Sequence, residues 1–176
     1  DAPVILQGQR NRVVGIVGDR RLTDQMQLNL IIQLSTLCAN TDLRLAAFAP
    51  GKSWRWLRWL PHMQMPKQPG YMLAIGDSNA DEVARALRES IEKTDEGQPT
   101  PNYCVFIPEG GSFDHTLLKL AADSIRFFIS CRSISELPKE CTAILELHED
   151  TCVFYNSNAA HTKQTFRMDA ESPIDC

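Results

Sequence analysis

Residues 13–17, Val-Val-Gly-Ile-Val, constrain this chain more than any other stretch. Apolar β-branched side chains fill it almost without interruption, so it reads as a strand covered on both faces. Such a strand needs helices above and below a mainly parallel sheet, and the chain supplies them in alternation. A polar loop at 18–24 leads into QMQLNLIIQLSTL (25–37), where Met26, Leu30, Ile31, Leu34 and Leu37 recur at helical spacing. LRLAAFA (43–49) reads as a second strand, and SWRWLRWL (53–60) as a short helix stopped by Pro61. YMLAI (71–75) is a third strand. Ser78 followed by Asp81 reads as a capping box that opens a helix to about Lys93.

Beyond a linker at 95–102, YCVFI (103–107) is a strand, DHTLLKLAADS (114–124) a helix and IRFFISC (125–131) another strand. CTAILELHE (141–149), TCVFYNS (151–157) and TKQTFRM (162–168) are short strands between turn residues, expected as antiparallel hairpins at the sheet edge. The expected architecture is one α/β domain over 1–168 with a flexible tail at 169–176.

The length of 176 residues suits one domain with a single sizeable core. A formal net charge of −4 argues against duplex DNA as a partner of this segment. Six cysteines and four histidines show no ligand-like spacing, so no metal site is expected. Cys104 and Cys131 lie in apolar runs, which fits free thiols in a reducing compartment. No apolar run approaches the ~20 residues needed to span a bilayer, so no direct membrane contact is expected.

Two strand ends invite a test for nucleotide chemistry. A phosphate-binding loop needs GxxxxGK[ST] between a strand and a helix, so that loop amides wrap the phosphates, lysine adds charge and a hydroxyl ligates magnesium. Here the frame falls on Gly18 to Gln25, with Thr23, Asp24 and Gln25 in place of glycine, lysine and serine or threonine. A carboxylate near the phosphates, at about 4 Å, costs on the order of a few kcal/mol. The strand YCVFI ends in Pro108 and Glu109, where an ATPase needs aspartate for magnesium and glutamate for the attacking water.

Taken in order, VVGIVGDRRLTDQMQLNLIIQLSTL, WLPHM, YCVFIPEGGSF and IRFFISCRSISELP resemble the FtsK/SpoIIIE ATPase domain, especially the tandem copies in type VII secretion translocases. The resemblance covers about residues 3 to 168 and implies a RecA-like P-loop NTPase-type sandwich. By carry-over it makes Gly18 the loop start, Glu109 a vestige of the Walker B glutamate, and Ser130 and Arg132 the polar strand-end positions that sense phosphate. With Thr23, Asp24 and Gln25 these would form a degenerate nucleotide site.

The family habit implied is a distal copy that does not hydrolyse ATP and acts through docking or by regulating an active neighbour. Its partners would be neighbouring ATPase domains of the same chain and a secreted protein or peptide. It would lie on the cytoplasmic face of a membrane-anchored protein. No cofactor is expected; ATP and magnesium enter only on the alternative reading, an active enzyme with an altered loop.

Two further segments stand out. AAFAPGKS (46–53) sets Gly51, Lys52 and Ser53 in the register of a second phosphate loop, although the preceding residues read as strand. In WRWLRWL (54–60), tryptophans alternate with arginines, a composition favoured at binding hot spots. Trp54, Arg55 and Arg58 are the candidate partner-binding residues. Helical spacing puts Trp56 and Trp59 on one face and Trp54 on another, so some rings should anchor the helix in the core while another meets a partner.

Overall fold

The computed structural model describes residues 11–66, 68–92, 101–122, 124–157 and 163–167. The tail at 169–176, the end of the helix at Lys93 and most of the 95–102 linker lie outside them. Chain order is β1 (Val13–Val17), α1 (Arg20–Leu37), β2 (Leu43–Ala49), a 3-10 helix (Lys52–Trp59), β3 (Leu73–Ile75), α2 (Ala80–Glu92), β4 (Asn102–Ile107), β5 (Ile125–Cys131), β6 (Ala143–Leu147), β7 (Thr151–Asn156) and β8 (Gln164–Arg167). Shorter 3-10 turns cover Pro61–Met63, His115–Leu120 and Ile134–Glu136.

All the strands join one sheet in the order β3-β2-β4-β5-β1-β6-β7-β8. From β3 to β6 every pairing is parallel, and β7 and β8 are antiparallel additions. The strand pattern from β1 to β5 is as the sequence implies. One expectation needs correction: β6 is not part of an edge hairpin set alone, because it lies parallel against β1 with Ile16 opposite Leu145. Its Ala143, Ile144, Leu145 and Leu147 are buried, which only an interior strand achieves.

Period-two alternation sends successive residues to opposite faces. Val13, Phe48, Val105, Phe127 and Ile129 pack with Val83, Leu87 and Leu117 from α2 and the His115–Leu120 turn. Val14, Ile16, Phe106, Phe128 and Leu145 pack with Ile31, Trp54 and Leu57 on the other side. The sheet is therefore a middle layer between helical elements, and Phe106 and Phe128 stack across β4 and β5 at 5.0 Å.

Local starts and stops differ from the sequence reading in three places. The capping box at Ser78 does not form: Val83 N–H donates to the Asn79 carbonyl, so the helix opens one residue later, with Asn79 at φ 54° and its side chain donating to the Leu73 carbonyl at 3.1 Å. The segment 114–124 is not an α-helix but a 3-10 turn, capped where Asp114 accepts from the Thr116 amide at 2.8 Å. Hydrogen bonds from Thr116 and Arg88 hold the Asp114 carboxyl down at about 2. Third, α1 begins at Arg20 and not near Gln25, because Asp19 caps it by accepting from the Arg21 amide at 2.9 Å.

Candidate functional site

In open parallel sheets, ligands bind beyond the carboxyl ends of the strands. The order β4-β5-β1 sets the ends of these strands side by side, which gathers Glu109 after β4, Ser130 and Arg132 at the end of β5, and Gly18 after β1. Gly18 lies close under β6: a Cβ there would stand 2.8 Å from the Leu147 carbonyl, and its φ of +155° already disfavours a side chain. Its amide donates to the Cys131 carbonyl at 3.3 Å. After Glu109 the chain turns at Gly110 (φ +79°), and at Gly111 a Cβ would stand 1.9 Å from the Phe48 carbonyl. The strand end is thereby fixed against β2.

The early start of α1 decides the site's chemistry. Only Gly18 and Asp19 separate β1 from the helix, so the residues meant to wrap a phosphate form the first helical turn instead. Thr23, in the position of the second loop glycine, is buried, and its hydroxyl donates to the Arg20 carbonyl at 3.1 Å. Asp24, in the lysine position, lies 3.7 Å from the Arg20 guanidinium one turn back. Gln25, in the magnesium-ligand position, is exposed on the helix.

Gln27 was not singled out in the sequence, and it organises the site. It is fully buried, and its amide nitrogen donates to Ser130 Oγ at 2.7 Å, the Phe128 carbonyl at 3.2 Å and the Ile107 carbonyl at 3.3 Å. One side chain thus ties α1 to the ends of β4 and β5. The inward row of α1 is Thr23, Gln27 and Ile31 at steps of four. An uncharged polar residue on that row was the available signal.

Both residues that the resemblance would make phosphate-sensing are engaged within the protein. Ser130 is taken by Gln27, and the Arg132 guanidinium donates to Glu109 Oε1 at 2.7 Å. What remains unpartnered is acceptor oxygen: Asp24 Oδ1, Gln27 Oε1 and Glu109 Oε2 are all buried without a protein hydrogen bond. Burial, reinforced by the charge on Glu109 and opposed by Arg20, raises the Asp24 carboxyl above the ordinary carboxylate range. Beside this cluster a cavity of about 490 Å3 opens between β1, β6 and the start of α1, lined by Gly18, Arg20, Arg132, Glu146 and His148 among others. Among the described residues, no group of three or more His, Cys, Asp or Glu is arranged to hold a metal ion.

The second GKS register lies at the end of β2, outside this cluster. Only Pro50 and Gly51 separate Ala49 from the 3-10 helix, Gly51 is extended (φ −162°), and Lys52 and Ser53 already belong to the helix. That helix also corrects the partner-binding set. Its period is three residues, so Trp54 and Leu57 share the buried row and Trp56 and Trp59 the outer one. Trp54 is 3 % exposed and belongs to the core, whereas Trp59 is 73 % exposed with the Arg58 guanidinium 4.9 Å from its ring centre. Arg55 and Arg58 are exposed.

No protein-family profile matches the chain. Among curated proteins, the ESX secretion system protein EccC of Geobacillus thermodenitrificans is 24 % identical over 178 residues, which is 90 % of this chain and 12 % of that protein. Among solved structures, EssC (ATPases 2 and 3) from Geobacillus thermodenitrificans superimposes with a TM-score of 0.64 at 13 % identity, over 95 % of this chain and 42 % of that one. The genome packaging NTPase B204 from Sulfolobus turreted icosahedral virus 2, in complex with ATP-gammaS, gives a TM-score of 0.57 at 8 % identity, over 91 % of this chain and 98 % of B204. The chain therefore spans about one eighth of its curated relative and less than half of the solved EssC chain. It has the fold of P-loop NTPase domains, and in sequence and fold together it is similar to an FtsK/SpoIIIE-type ATPase domain of the type VII secretion proteins.

Proposed function

We propose that this chain is a non-hydrolysing, ATPase-fold module of a type VII secretion-like translocase. It docks partners and regulates a neighbouring active ATPase domain at the cytoplasmic face of a membrane-anchored assembly. One observation carries the reading: the cap at Asp19 extends α1 back to Arg20, which leaves two residues where a phosphate loop needs its wrapping amides. The surroundings agree. A phosphate adds negative oxygens, and the atoms left over here are buried acceptors on Asp24, Gln27 and Glu109. Magnesium would find Gln25 on the exposed face of the helix and Pro108 at the strand end, so the residues present do not fit Mg-ATP.

The docking part rests on the outer row of the 3-10 helix, where Trp59 and Trp56 are exposed beside Arg58 and Arg55. A neighbouring ATPase domain is the natural partner, since the EssC structure similar to this chain carries ATPases 2 and 3 in one polypeptide. Calorimetric titration of the chain with Mg-ATP checks the first part. No heat of binding is expected up to millimolar nucleotide, and a micromolar Kd would overturn the reading in favour of an active enzyme with an altered loop. The cavity holding Arg20 and Arg132 is the one feature that favours that second reading.

A further inference from the structure

The 3-10 helix has a third row. With three residues per turn, Lys52, Arg55 and Arg58 lie one above another along it, and all three line a single cleft of about 470 Å3. Met65, Tyr71, Leu73 and Ile75 supply apolar and aromatic lining from β3 and the loop before it, and among the described residues Glu82 is the only carboxylate there. All three cations are exposed, and none of them makes an ion pair with a described residue. This is a concentration of positive charge in a chain whose net charge is −4. Arg58 is steadied by the Trp59 ring. The cleft shares no lining residue with the cavity beside Gly18.

Spacing selects the ligand. Neighbours in the row stand about 6 Å apart, from a rise of about 2 Å per residue. Alternate residues of an extended peptide stand roughly 6.6 Å apart and point to the same side, while those between them point to the other. We propose that this cleft binds an extended acidic segment of a partner protein. Carboxylates at alternate positions pair with Lys52, Arg55 and Arg58, and the aliphatic side chains between them meet Tyr71 and Ile75, over the buried Met65 and Leu73. A single-stranded nucleic acid also spaces its charges regularly, but successive bases each need a ring face for stacking, and among the described residues this cleft offers one ring, Tyr71. The proposal shares Arg55 and Arg58 with the docking row, from which Trp59→Ala separates it because Trp59 does not line the cleft, and it is independent of the Gly18 site.

The test uses the whole chain and a fluorescein-labelled peptide, Gly-Glu-Leu-Glu-Val-Glu-Gly, followed by fluorescence anisotropy. Saturable binding is expected, weakened about ten-fold or more when Arg55→Glu and Arg58→Glu are combined. Lys52→Glu alone gives a smaller loss of the same sign, and raising the salt concentration weakens binding of the unaltered chain. These side chains are exposed, so folding should survive; if circular dichroism shows that the double variant does not fold, Lys52→Glu and the salt series decide. A permuted peptide with its glutamates consecutive should bind several-fold more weakly. The proposal fails if neither peptide binds, if both bind alike, or if charge reversal leaves affinity unchanged. It also fails if an oligothymidylate or phosphatidylserine vesicles displace the alternating peptide at concentrations well below the peptide's own Kd. Mg-ATP titration of the same variants separates this result from the reading of the Gly18 site.

Discussion

At the scale of single residues, Asp24 sets the character of the strand-end cluster. Its carboxyl is raised chiefly by burial, with Glu109 adding to the shift and Arg20 opposing it. A carboxylate whose folded value lies above its unfolded one binds the proton more tightly in the folded state. Stability therefore falls as pH rises between the two values, and the cost is fully present above the folded one. Asp24→Asn removes that cost. It should raise the melting temperature at pH 7, and the gain should shrink as pH falls and vanish below about pH 3, where the unfolded carboxyl is also protonated. Thermal unfolding at both pH values checks this; an equal gain at low pH would show that the charge is not the cause. The thiols behave as buried hydrophobes: Cys104 and Cys141 are pushed up to about 12 by burial, and the described cysteines are free.

At the scale of elements, the 3-10 helix shows how helix type reassigns roles. Its last residue before Pro61, Leu60, is extended at ψ 126°, as a residue preceding proline should be. The period of three then sends Trp54 and Leu57 inward and leaves Trp56 and Trp59 outside. Trp54→Ala should cost about 3–5 kcal/mol of stability. Trp59→Ala should change stability by no more than about 0.5 kcal/mol and weaken docking to the neighbouring ATPase domain by roughly 2 kcal/mol. Chemical denaturation and a binding titration on the same variants check both outcomes. Destabilisation by Trp59→Ala, or unchanged docking, would remove this row from the interface.

Across the whole molecule, the proposed loss of nucleotide binding turns on where α1 starts. Thr23→Gly, Asp24→Lys and Gln25→Thr together supply the side chains of a phosphate loop. However, the helix beginning at Arg20, held by the Asp19 cap and by Gln27 against β4 and β5, already occupies the loop's length. The triple variant should fold and still show no Mg-ATP binding by calorimetry, whereas adding Asp19→Ala, which removes the cap, should allow measurable binding. ATP affinity in the triple variant alone would show that the loop opens without that release.

The strands and their order along the chain are legible in the residues alone. Near-continuous apolar runs such as Val13–Val17 and Ile125–Cys131 have no other low-energy use than a strand covered on both faces, and the gaps after β1 and β3 hold α-helices while those after β2 and β4 hold 3-10 segments. The end of each apolar run also marked Gly18 and Glu109, whereas Ser130 and Arg132 came only through the resemblance. The remaining features need contacts between distant parts of the chain. The parallel seat of β6 against β1 depends on pairing between residues more than a hundred positions apart in the chain, as in Ile16 with Leu145. The role of Gln27 depends on carbonyls of two other strands. The boundary of α1 depends on a cap that a polar loop and a helix start both permit, and burial of Thr23 and Gln27 against the sheet settles which one forms.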